Sequence, residues 1–300
     1  MPSAAVNPAI ATPDLLRQVK LIEIQARRLA SQLLVGTYRS VFRGWGLEFL
    51  EVRDYQPGDD IRSIDWNVTA RMGHPYVKNY VEEREQSVLL MVDGSSSLSF
   101  ASDLRSKRRT AVDVCALLAL SAARNNDRVG MVLFTEAVEH FVPPRKGSRQ
   151  TLRLIRDLVA WRPAYRGTSI SRALEFVNRW SKKRGIVFLI SDLQDEGWPS
   201  ILRVVARKHD VVVVVVTDPR ETELPALGLI ALEDAETGQQ RLVDTSDRRV
   251  RQAYATAVHA RRETRRRLLA GMQVDGVEVS TAGSCATPLR DLFRRRARRP

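Results

Sequence analysis

The stretch Val88-Leu-Leu-Met-Val92, followed at once by Asp93-Gly-Ser-Ser-Ser97, has the pattern of a buried parallel strand that ends at a carboxylate and hydroxyls. In an extended turn Asp93, Ser95 and Ser97 stand at every second position, so their side chains can converge, and the glycine between them adds no bulk. Oxygen ligands of this kind suit Mg²⁺ or Mn²⁺. The same residues would also serve as a helix cap followed by turn residues, and the stretch alone leaves both interpretations open.

Two further segments would bring oxygen ligands to the same place. Gly185-Ile-Val-Phe-Leu-Ile190 is a second apolar run of strand type, and Ser191-Asp192 follows it directly. Between the two runs, Tyr165-Arg-Gly-Thr-Ser-Ile170 is a glycine-containing loop before a helix, and it exposes Thr168. Because the carboxyl ends of parallel strands share one edge of a sheet, three loops can offer hydroxyls and carboxylates there.

Strand and helix patterns alternate along the rest of the chain, which favours a doubly wound α/β fold with a mostly parallel sheet. The predicted strands are residues 128–135, 138–142 at an edge, 185–190 and 211–217, and the predicted helices are residues 107–124, 149–161, 171–180 and 199–208. Within residues 229–243, Glu-Thr-Gly marks a turn between two short strands. A basic helix over 247–270, a strand over 276–280 and a helix over 288–298 follow.

The segment upstream of the first strand is the most specific part of the sequence. It reads Gly46-Leu-Glu-Phe-Leu-Glu51-Val-Arg53-Asp-Tyr55-Gln-Pro-Gly58-Asp59-Asp60-Ile-Arg62-Ser-Ile-Asp65-Trp66, then Thr69-Ala-Arg71 and Tyr80-Val-Glu-Glu-Arg-Glu85. It resembles the signature of the bacterial domain-of-unknown-function family numbered fifty-eight, in which this segment precedes a von Willebrand factor A-like domain. The resemblance covers the chain from about Gly44 onward. We expect residues 1–85, which comprise an N-terminal helix and the signature segment, to pack on a main domain of residues 86–300.

The resemblance also implies a site. The metal-ion-dependent adhesion site of the von Willebrand factor A fold is Asp-x-Ser-x-Ser, a distant Thr and a distant Asp, matched in order by Asp93, Ser95, Ser97, Thr168 and Asp192. It implies direct coordination of Mg²⁺ or Mn²⁺ by the two serines, with Thr168 as a further candidate, while the aspartates act largely through bound waters. The last coordination position is left for an Asp or Glu of a partner protein.

The family further implies a kind of partner. Its members are commonly encoded beside MoxR-type AAA+ ATPases, so the resemblance implies an adaptor or co-chaperone that acts with such an ATPase in the assembly or maturation of protein complexes.

Residues 46–85 interleave arginines with acidic residues around Tyr55 and Trp66. Alternating charge is often a solvated loop, but the two aromatic side chains carry large apolar areas that need cover. This favours a semi-buried structural ion-pair network over a catalytic cluster, because paired arginines neutralise the carboxylates that catalysis would need free.

The composition is typical of a soluble cytoplasmic protein of bacterial type. The 300 residues suffice for a large α/β domain with an extension, and Cys115 and Cys285 form neither a disulfide framework nor a zinc motif. No apolar run approaches the roughly 20 residues of a membrane span, and residues 1–13 lack the pattern of a signal peptide. Residues 15–34 form an amphipathic helix that could dock on its own domain, a partner or a membrane surface, in that order of preference.

The net charge of +13 is concentrated late in the chain: from Arg241 onward there are 15 arginines and no lysine, against 6 acidic residues. Such a surface could bind phosphates of nucleic acid or of lipid headgroups. A solvated helix face and a frayed tail are the simpler interpretation, because no recognised nucleic-acid motif with interleaved aromatics is present. On that interpretation, removal of the residues after Arg290 costs little.

Enzymatic function finds little support in the sequence. The chain lacks the Gly-x-x-x-x-Gly-Lys-Ser/Thr loop and the Gly-x-Ser-x-Gly motif, and its four histidines are scattered. A metal-dependent phosphate or phosphodiester hydrolase stays open, since Mg²⁺ with a free position can activate water, although no general base is evident. We therefore expect a non-enzymatic, metal-dependent protein-binding module, with that hydrolase and an Arg-rich nucleic-acid or membrane-surface binder as alternatives.

Overall fold

Two compact units make up the chain in the computed structural model, which describes residues 13–31, 38, 47–82, 85–102 and 105–298. The larger unit combines Met1–Val41 with Ser87–Pro300, and the smaller one is Phe42–Gln86. The N-terminal helix therefore belongs to the larger unit. The packing of residues 46–85 on the main domain stays a prediction.

The secondary structure follows the alternation read from the sequence. The helices are α1 (Pro13–Leu29), α2 (Trp66–Met72), α3 (Lys107–Arg124), α4 (Ser148–Ala160), α5 (Ile170–Trp180), α6 (Trp198–Lys208), α7 (Arg248–Gly271) and α8 (Ala286–Ala297). The strands are β1 (Leu47–Asp54), β2 (Tyr76–Glu82), β3 (Ser87–Asp93), β4 (Arg128–Phe134), β5 (Val138–Arg145), β6 (Ile186–Ser191), β7 (Asp210–Thr217), β8 (Leu229–Glu233), β9 (Gln240–Asp244) and β10 (Asp275–Ser280). From residue 88 onward every predicted strand and helix is present, with ends that differ by at most a few residues.

A six-stranded sheet in the order β10-β7-β6-β3-β4-β5 forms the centre of the larger unit. Neighbouring strands run parallel except for β5, which returns antiparallel to β4, and this confirms the predicted doubly wound, mostly parallel α/β fold. Strands β6 and β7 consist almost wholly of buried Val, Ile, Leu and Phe, the composition required of a strand that helices cover on both faces.

Helices pack on both faces of this sheet. Leu89 and Met91 of β3 lie in one core cluster with residues of α5, α6 and the end of α7, while α3 contacts β3 from the other layer and α1 lies on α3 and α4. Own-domain docking of the N-terminal helix is thus confirmed for α1; Leu33 and Leu34 lie outside the described residues. Among the helices that the structure describes, none has the length and apolar character needed to cross a membrane.

The order of the strands defines a switch point in the sheet. The chain enters at β3, builds outward to β5 on one side, and then crosses back to add β6, β7 and β10 on the other. Open α/β sheets bind ligands at such a point, in the crevice beyond the carboxyl ends of the two strands that flank it. Asp93 ends β3, and Asp192 directly follows β6. The topology therefore places both predicted aspartates beside this crevice.

Strands β8 and β9 form an antiparallel hairpin outside the large sheet, as the turn signal predicts. Many of its side chains face solvent, and the exposed fraction reaches 67% for Leu229 and 70% for Leu242. The base of the hairpin is held by the buried Thr245, whose Oγ1 donates to the carbonyl of Gly228 (2.7 Å) and accepts from the N–H of Leu227 (3.0 Å). The hairpin is an arm that is fixed at its base.

The smaller unit contains the antiparallel pair β1–β2 and the short helix α2, which begins at the capping residue Asp65. Ion pairs are present here: Arg53 holds Asp59 through hydrogen bonds of 2.7 and 2.8 Å, and Lys78 lies 3.4 Å from Asp65. The expectation that the apolar areas of the two aromatic side chains are covered is wrong for Trp66, which is 66% exposed. Opposite charges at the surface need no apolar cover to pair.

Helix α8 corrects the expectation of a frayed arginine tail. Leu292 and Phe293 are fully buried. Arg296 donates to both carboxylate oxygens of Asp210 (2.8 and 2.9 Å) and to Asp275 (2.6 Å), at the start of the neighbouring strands β7 and β10. An arginine run thus contributes to a helix that anchors this edge of the sheet, because apolar residues are interleaved with the basic ones.

Candidate functional site

Asp93 is fixed at the end of β3 by two hydrogen bonds. Its Oδ1 accepts from the N–H of Ser95 (2.9 Å), and its Oδ2 accepts from Oγ of Ser191, the last residue of β6 (2.6 Å). The residue is buried. The carboxylate therefore joins the two strands that flank the switch point and has one defined orientation.

The hydroxyls of Ser95 and Ser97 lie side by side, with 3.0 Å between their Oγ atoms. Ser95 is buried, and Ser97 is half-buried in the short 3₁₀-helix Ser96–Ser99. Two ligands of Mg²⁺ at right angles, each about 2.0–2.1 Å from the ion, are about 2.9 Å apart. The first and third serines of the motif thus have the spacing of a coordinating pair.

The glycine of the motif makes room for an indole ring. A Cβ atom at Gly94 would stand 2.0 Å from the ring carbon Cη2 of Trp161. The ring is held in place, because its Nε1 donates to Glu139 (2.9 Å) and the guanidinium of Arg108 lies 5.8 Å from its centroid. A side chain at residue 94 would have to displace the tryptophan, which gives this glycine a packing reason.

The loop that carries Thr168 is fixed beside the serine motif. The N–H of Ser96 donates to the carbonyl of Arg166 (2.9 Å), and the N–H of Ser169 donates to the carbonyl that follows β4 (2.9 Å). Thr168 is half-buried, and its Oγ1 donates to Oε1 of Glu236, at the tip of the β8–β9 hairpin (2.7 Å). The backbone of this loop therefore contacts the serine motif, and the hydroxyl of Thr168 already has an acidic partner.

Asp192 is neutralised by a buried lysine. Nζ of Lys107, the first residue of α3, donates to Oδ2 of Asp192 (2.7 Å) and to Oε1 of Glu221 (2.5 Å). The lysine side chain is 0% exposed. Burial opposes its charge, but the two carboxylates outweigh burial and raise the pKa of the lysine, which keeps it charged. One of the predicted metal residues thus already has a fixed cation beside it.

Asp93 is a buried carboxyl group that is costly to ionise. Burial raises the pKa of Asp93 to about 7 and the charge of Asp192 adds to this rise, while the hydrogen bonds from Ser191 and Ser95 oppose it. In the part of the chain that the structure describes, no basic side chain forms an ion pair with Asp93. A divalent cation beside the carboxylate would relieve the cost of its charge.

The candidate metal ligands are oxygen atoms of hydroxyl and carboxylate groups. Within the ranges that the structure describes, no group of three or more His, Cys, Asp or Glu side chains could hold a metal ion. The candidate set instead consists of carboxylates and hydroxyls, all of them hard oxygen donors, and the residues present therefore fit Mg²⁺ or Mn²⁺ rather than a softer metal.

The raised pKa of Asp93 predicts a pH dependence of stability in the metal-free protein. Between about pH 4 and pH 7 the folded state retains a proton that the unfolded chain releases, so the contribution of Asp93 to the free energy of unfolding falls as pH rises. We expect Asp93→Asn, which cannot ionise, to gain about 2–4 kcal/mol relative to wild type across this window. Urea unfolding in EDTA at pH 4.5 and 7.5, values that bracket most of that shift, measures the difference.

The comparison of wild type with Asp93→Asn isolates the contribution of Asp93 to the pH dependence of stability. His209, whose pKa burial lowers to about 4, changes stability in the opposite direction but does so equally in both proteins. Parallel stability profiles for wild type and Asp93→Asn would contradict the raised pKa.

Lys107, Glu221 and Glu236 are the residues of the site that sequence reasoning missed. The position of Lys107 could have indicated its role. A cation in the first turn of a helix interacts unfavourably with the helix dipole, so carboxylates are expected nearby. The only sequence signal at Glu236 was its position in a predicted turn. No feature of the neighbouring sequence indicates a contact with Thr168.

Comparison with known proteins identifies the family of this chain. A family model described as "Protein of unknown function DUF58" matches residues 51–264. The chain belongs to the DUF58 family. The resemblance of the signature segment is thereby confirmed. The uncharacterized protein Rv1480 of Mycobacterium tuberculosis is 32% identical to this DUF58 protein over 273 residues, which cover 90% of this chain and 86% of the relative.

Other comparisons are weaker. The uncharacterized protein YeaD of Bacillus subtilis is 27% identical over 107 residues, which cover 36% of this chain and 25% of YeaD. The crystal structure of the conserved hypothetical protein BatB from Bacteroides thetaiotaomicron has a TM-score of 0.46 at 17% identity, and covers 71% of this chain and 100% of BatB. The SpRpn10 VWA domain has a TM-score of 0.37 at 7% identity, with 70% and 95% covered. At these scores the likeness carries no argument, and the fold rests on the strand order above.

The arginine-rich region forms a groove of mixed charge. The groove has a volume of about 790 Å³, lies between α7, β10 and α8, and is lined among others by Arg262, Arg265, Arg266 and Arg295. Arg262 and Arg265 both pair with Glu278 of β10, and Glu263 and Asp291 also line it. Part of the basic charge is therefore compensated within the fold.

Proposed function

We propose that this DUF58 protein is a protein-binding module that captures its partner through a divalent cation, Mg²⁺ or Mn²⁺, at the carboxyl edge of the sheet. The observation that carries the proposal is the buried carboxylate of Asp93 beside the paired hydroxyls of Ser95 and Ser97 at the switch point. The serines and Thr168 would contact the ion, and Asp93 and Asp192 would act largely through waters. An Asp or Glu of the partner would complete the coordination.

The charge of the site favours shared coordination. Lys107 already compensates Asp192, so a cation gains less attraction from the protein alone than two free carboxylates would supply. The carboxylate of the partner then contributes a larger share of the binding free energy. This is the behaviour of a docking site rather than of a site that stores a metal.

The finer proposal concerns the partner. It is a MoxR-type AAA+ ATPase, or a client protein on which such an ATPase acts, and the DUF58 protein serves it as a non-enzymatic cytoplasmic adaptor or co-chaperone. This part rests on the resemblance of the signature segment.

A metal-dependent phosphate or phosphodiester hydrolase is the second candidate, and one observation favours it. The pKa of Asp93, raised by burial and by Asp192 to about 7, is suited to a general base at neutral pH. Both oxygens of that carboxylate already accept hydrogen bonds, however, and the side chain is buried. Turnover of a phosphodiester probe that is lost in Asp93→Asn would favour the hydrolase over the adaptor.

Metal binding tests the core of the proposal. We expect Ser97→Ala to weaken Mg²⁺ or Mn²⁺ affinity about tenfold or more, because it removes one of the paired hydroxyls. Isothermal titration calorimetry on the full chain measures the affinity. Ser99→Ala is the matched control, since Ser99 is an exposed residue of the same short helix and should bind as wild type does. Equal affinities for the two variants would overturn the site assignment.

Partner capture tests the second part. Wild type and Ser97→Ala are used to retain proteins from native cell lysate with Mg²⁺ or with EDTA, and mass spectrometry identifies them. A AAA+ ATPase held only with Mg²⁺ and only by wild type would support the adaptor. Binding to nucleic acid or anionic vesicles that falls steeply with salt and ignores chelator would favour the Arg-rich surface instead.

A further inference from the structure

The tip of the β8–β9 hairpin contacts Thr168, a candidate ligand in the proposed cation site. Oε1 of Glu236 accepts a hydrogen bond from Oγ1 of Thr168 at 2.7 Å. From residue 231 to residue 242, all of which the structure describes, Glu236 is the one residue that is not exposed. The arm therefore touches the rest of the protein at its tip through this acidic side chain.

The turn of the hairpin presents Glu236 in a defined position. Oδ1 of Asp234 accepts from the N–H groups of Glu236 and Thr237, each at 2.9 Å, and the N–H of Gly238 donates to the carbonyl of Asp234 (2.8 Å). Gly238 has a φ of +72°, which a glycine adopts without strain. The position of Glu236 is thus set by its own turn before it meets Thr168.

The hairpin has little else to hold it. A two-stranded hairpin alone is marginally stable in water, and the strands here leave Leu229 and Leu242 largely exposed. Its base is held by Thr245, and by Arg251, whose Nη1 donates to the carbonyl of Thr245 (2.5 Å). The contact at the tip can therefore be broken without loss of core packing.

The distance at the tip suits a shared cation. Adjacent ligands of an octahedral Mg²⁺ lie about 2.9 Å apart, and Glu236 and Thr168 are separated by a similar distance, 2.7 Å. The hydroxyl proton of Thr168 points to Glu236, so lone pairs of the same oxygen stay free for an ion. Glu236 thus places a carboxylate beside Thr168, a candidate ligand of the proposed cation.

We propose that Glu236 is an intramolecular acidic ligand that closes the cation site, and that an Asp or Glu of the partner must displace it to bind. The inference rests on the cation site of the proposed function. A tethered carboxylate competes at a high effective concentration, which is in the millimolar range for short flexible tethers. The hairpin would thereby select partners that supply more than a single carboxylate.

The test uses Mn²⁺ alone as the probe, with the full chain. Glu236→Gln keeps the size of the side chain but removes its charge, and it should weaken Mn²⁺ affinity about tenfold or more. Glu233→Gln is the matched control, because it removes the same charge from an exposed position of the same hairpin. Hydrogen exchange of residues 231–242 is the second readout: Mn²⁺ should increase protection in wild type and Glu233→Gln, but not in Glu236→Gln.

The outcomes separate this inference from the proposed function. If Ser97→Ala loses Mn²⁺ binding while Glu236→Gln binds as Glu233→Gln does, with equal protection of the hairpin, the cation site stands and the role of Glu236 is overturned. If wild type does not bind Mn²⁺, both fail. The inference is supported if Glu236→Gln loses Mn²⁺ affinity and hairpin protection while Glu233→Gln keeps both.

Discussion

Replacement of Lys107 by methionine is expected to lower the free energy of unfolding at pH 7 by about 3–5 kcal/mol, the usual cost of removing one partner of a buried ion pair. Methionine fills a similar length but leaves Asp192 and Glu221 without the ammonium between them. Burial already raises the pKa of Glu221, and the lysine works against that rise. Urea unfolding monitored by circular dichroism measures the loss.

The pH dependence of this loss identifies its cause. At pH 5 Glu221, whose pKa burial raises, takes up a proton more readily once the lysine is gone, so the deficit of Lys107→Met relative to wild type should shrink. Lys182→Met, at an exposed position, is the control and should change stability little. A deficit of the same size at both pH values would mean that packing, and not the unpaired carboxylates, explains the loss.

Truncation after Arg290 is expected to remove at least about 5 kcal/mol, which is comparable with the whole stability of many domains. The cut deletes Leu292 and Phe293 from the core, and it deletes Arg296 from its pairs with Asp210 and Asp275. The truncated chain should therefore fail to show a cooperative unfolding transition.

Truncation after Ala297 is the matched control, since it leaves α8 whole. Its urea unfolding curve should overlay that of the full chain. A stable protein that lacks everything after Arg290 would restore the solvated-tail interpretation of the sequence.

The sheet could be predicted because its signals are local. The runs at Val88–Val92 and in β6 are apolar throughout, and each ends at a polar residue, so strand type and strand end can both be read from a few neighbouring residues. The spacing of Asp93, Ser95 and Ser97 is local as well. Periodicity in α8 likewise predicted a helix, although charge alone suggested that its end is frayed.

The contacts that tune the site could not be predicted, because they join distant segments. Lys107 meets Glu221 at a separation of 114 residues, and Thr168 meets Glu236 at a separation of 68 residues. Each of these side chains would be ordinary on a solvated surface, and only the packing of the elements turns them into a network. Trp66 is the opposite case. Its large aromatic side chain predicted burial, but the fold leaves it exposed.

The wide sequence separation of the site residues also bears on how the protein is made. Asp93 and Ser191 are 98 residues apart and meet only when β3 pairs with β6, a long-range closure that forms slowly compared with helices and hairpins. Glu236 is synthesised later still. A chain in which β6 has not yet paired with β3 therefore holds no assembled crevice, so recruitment of a partner through this site would begin only after these two distant strands have met.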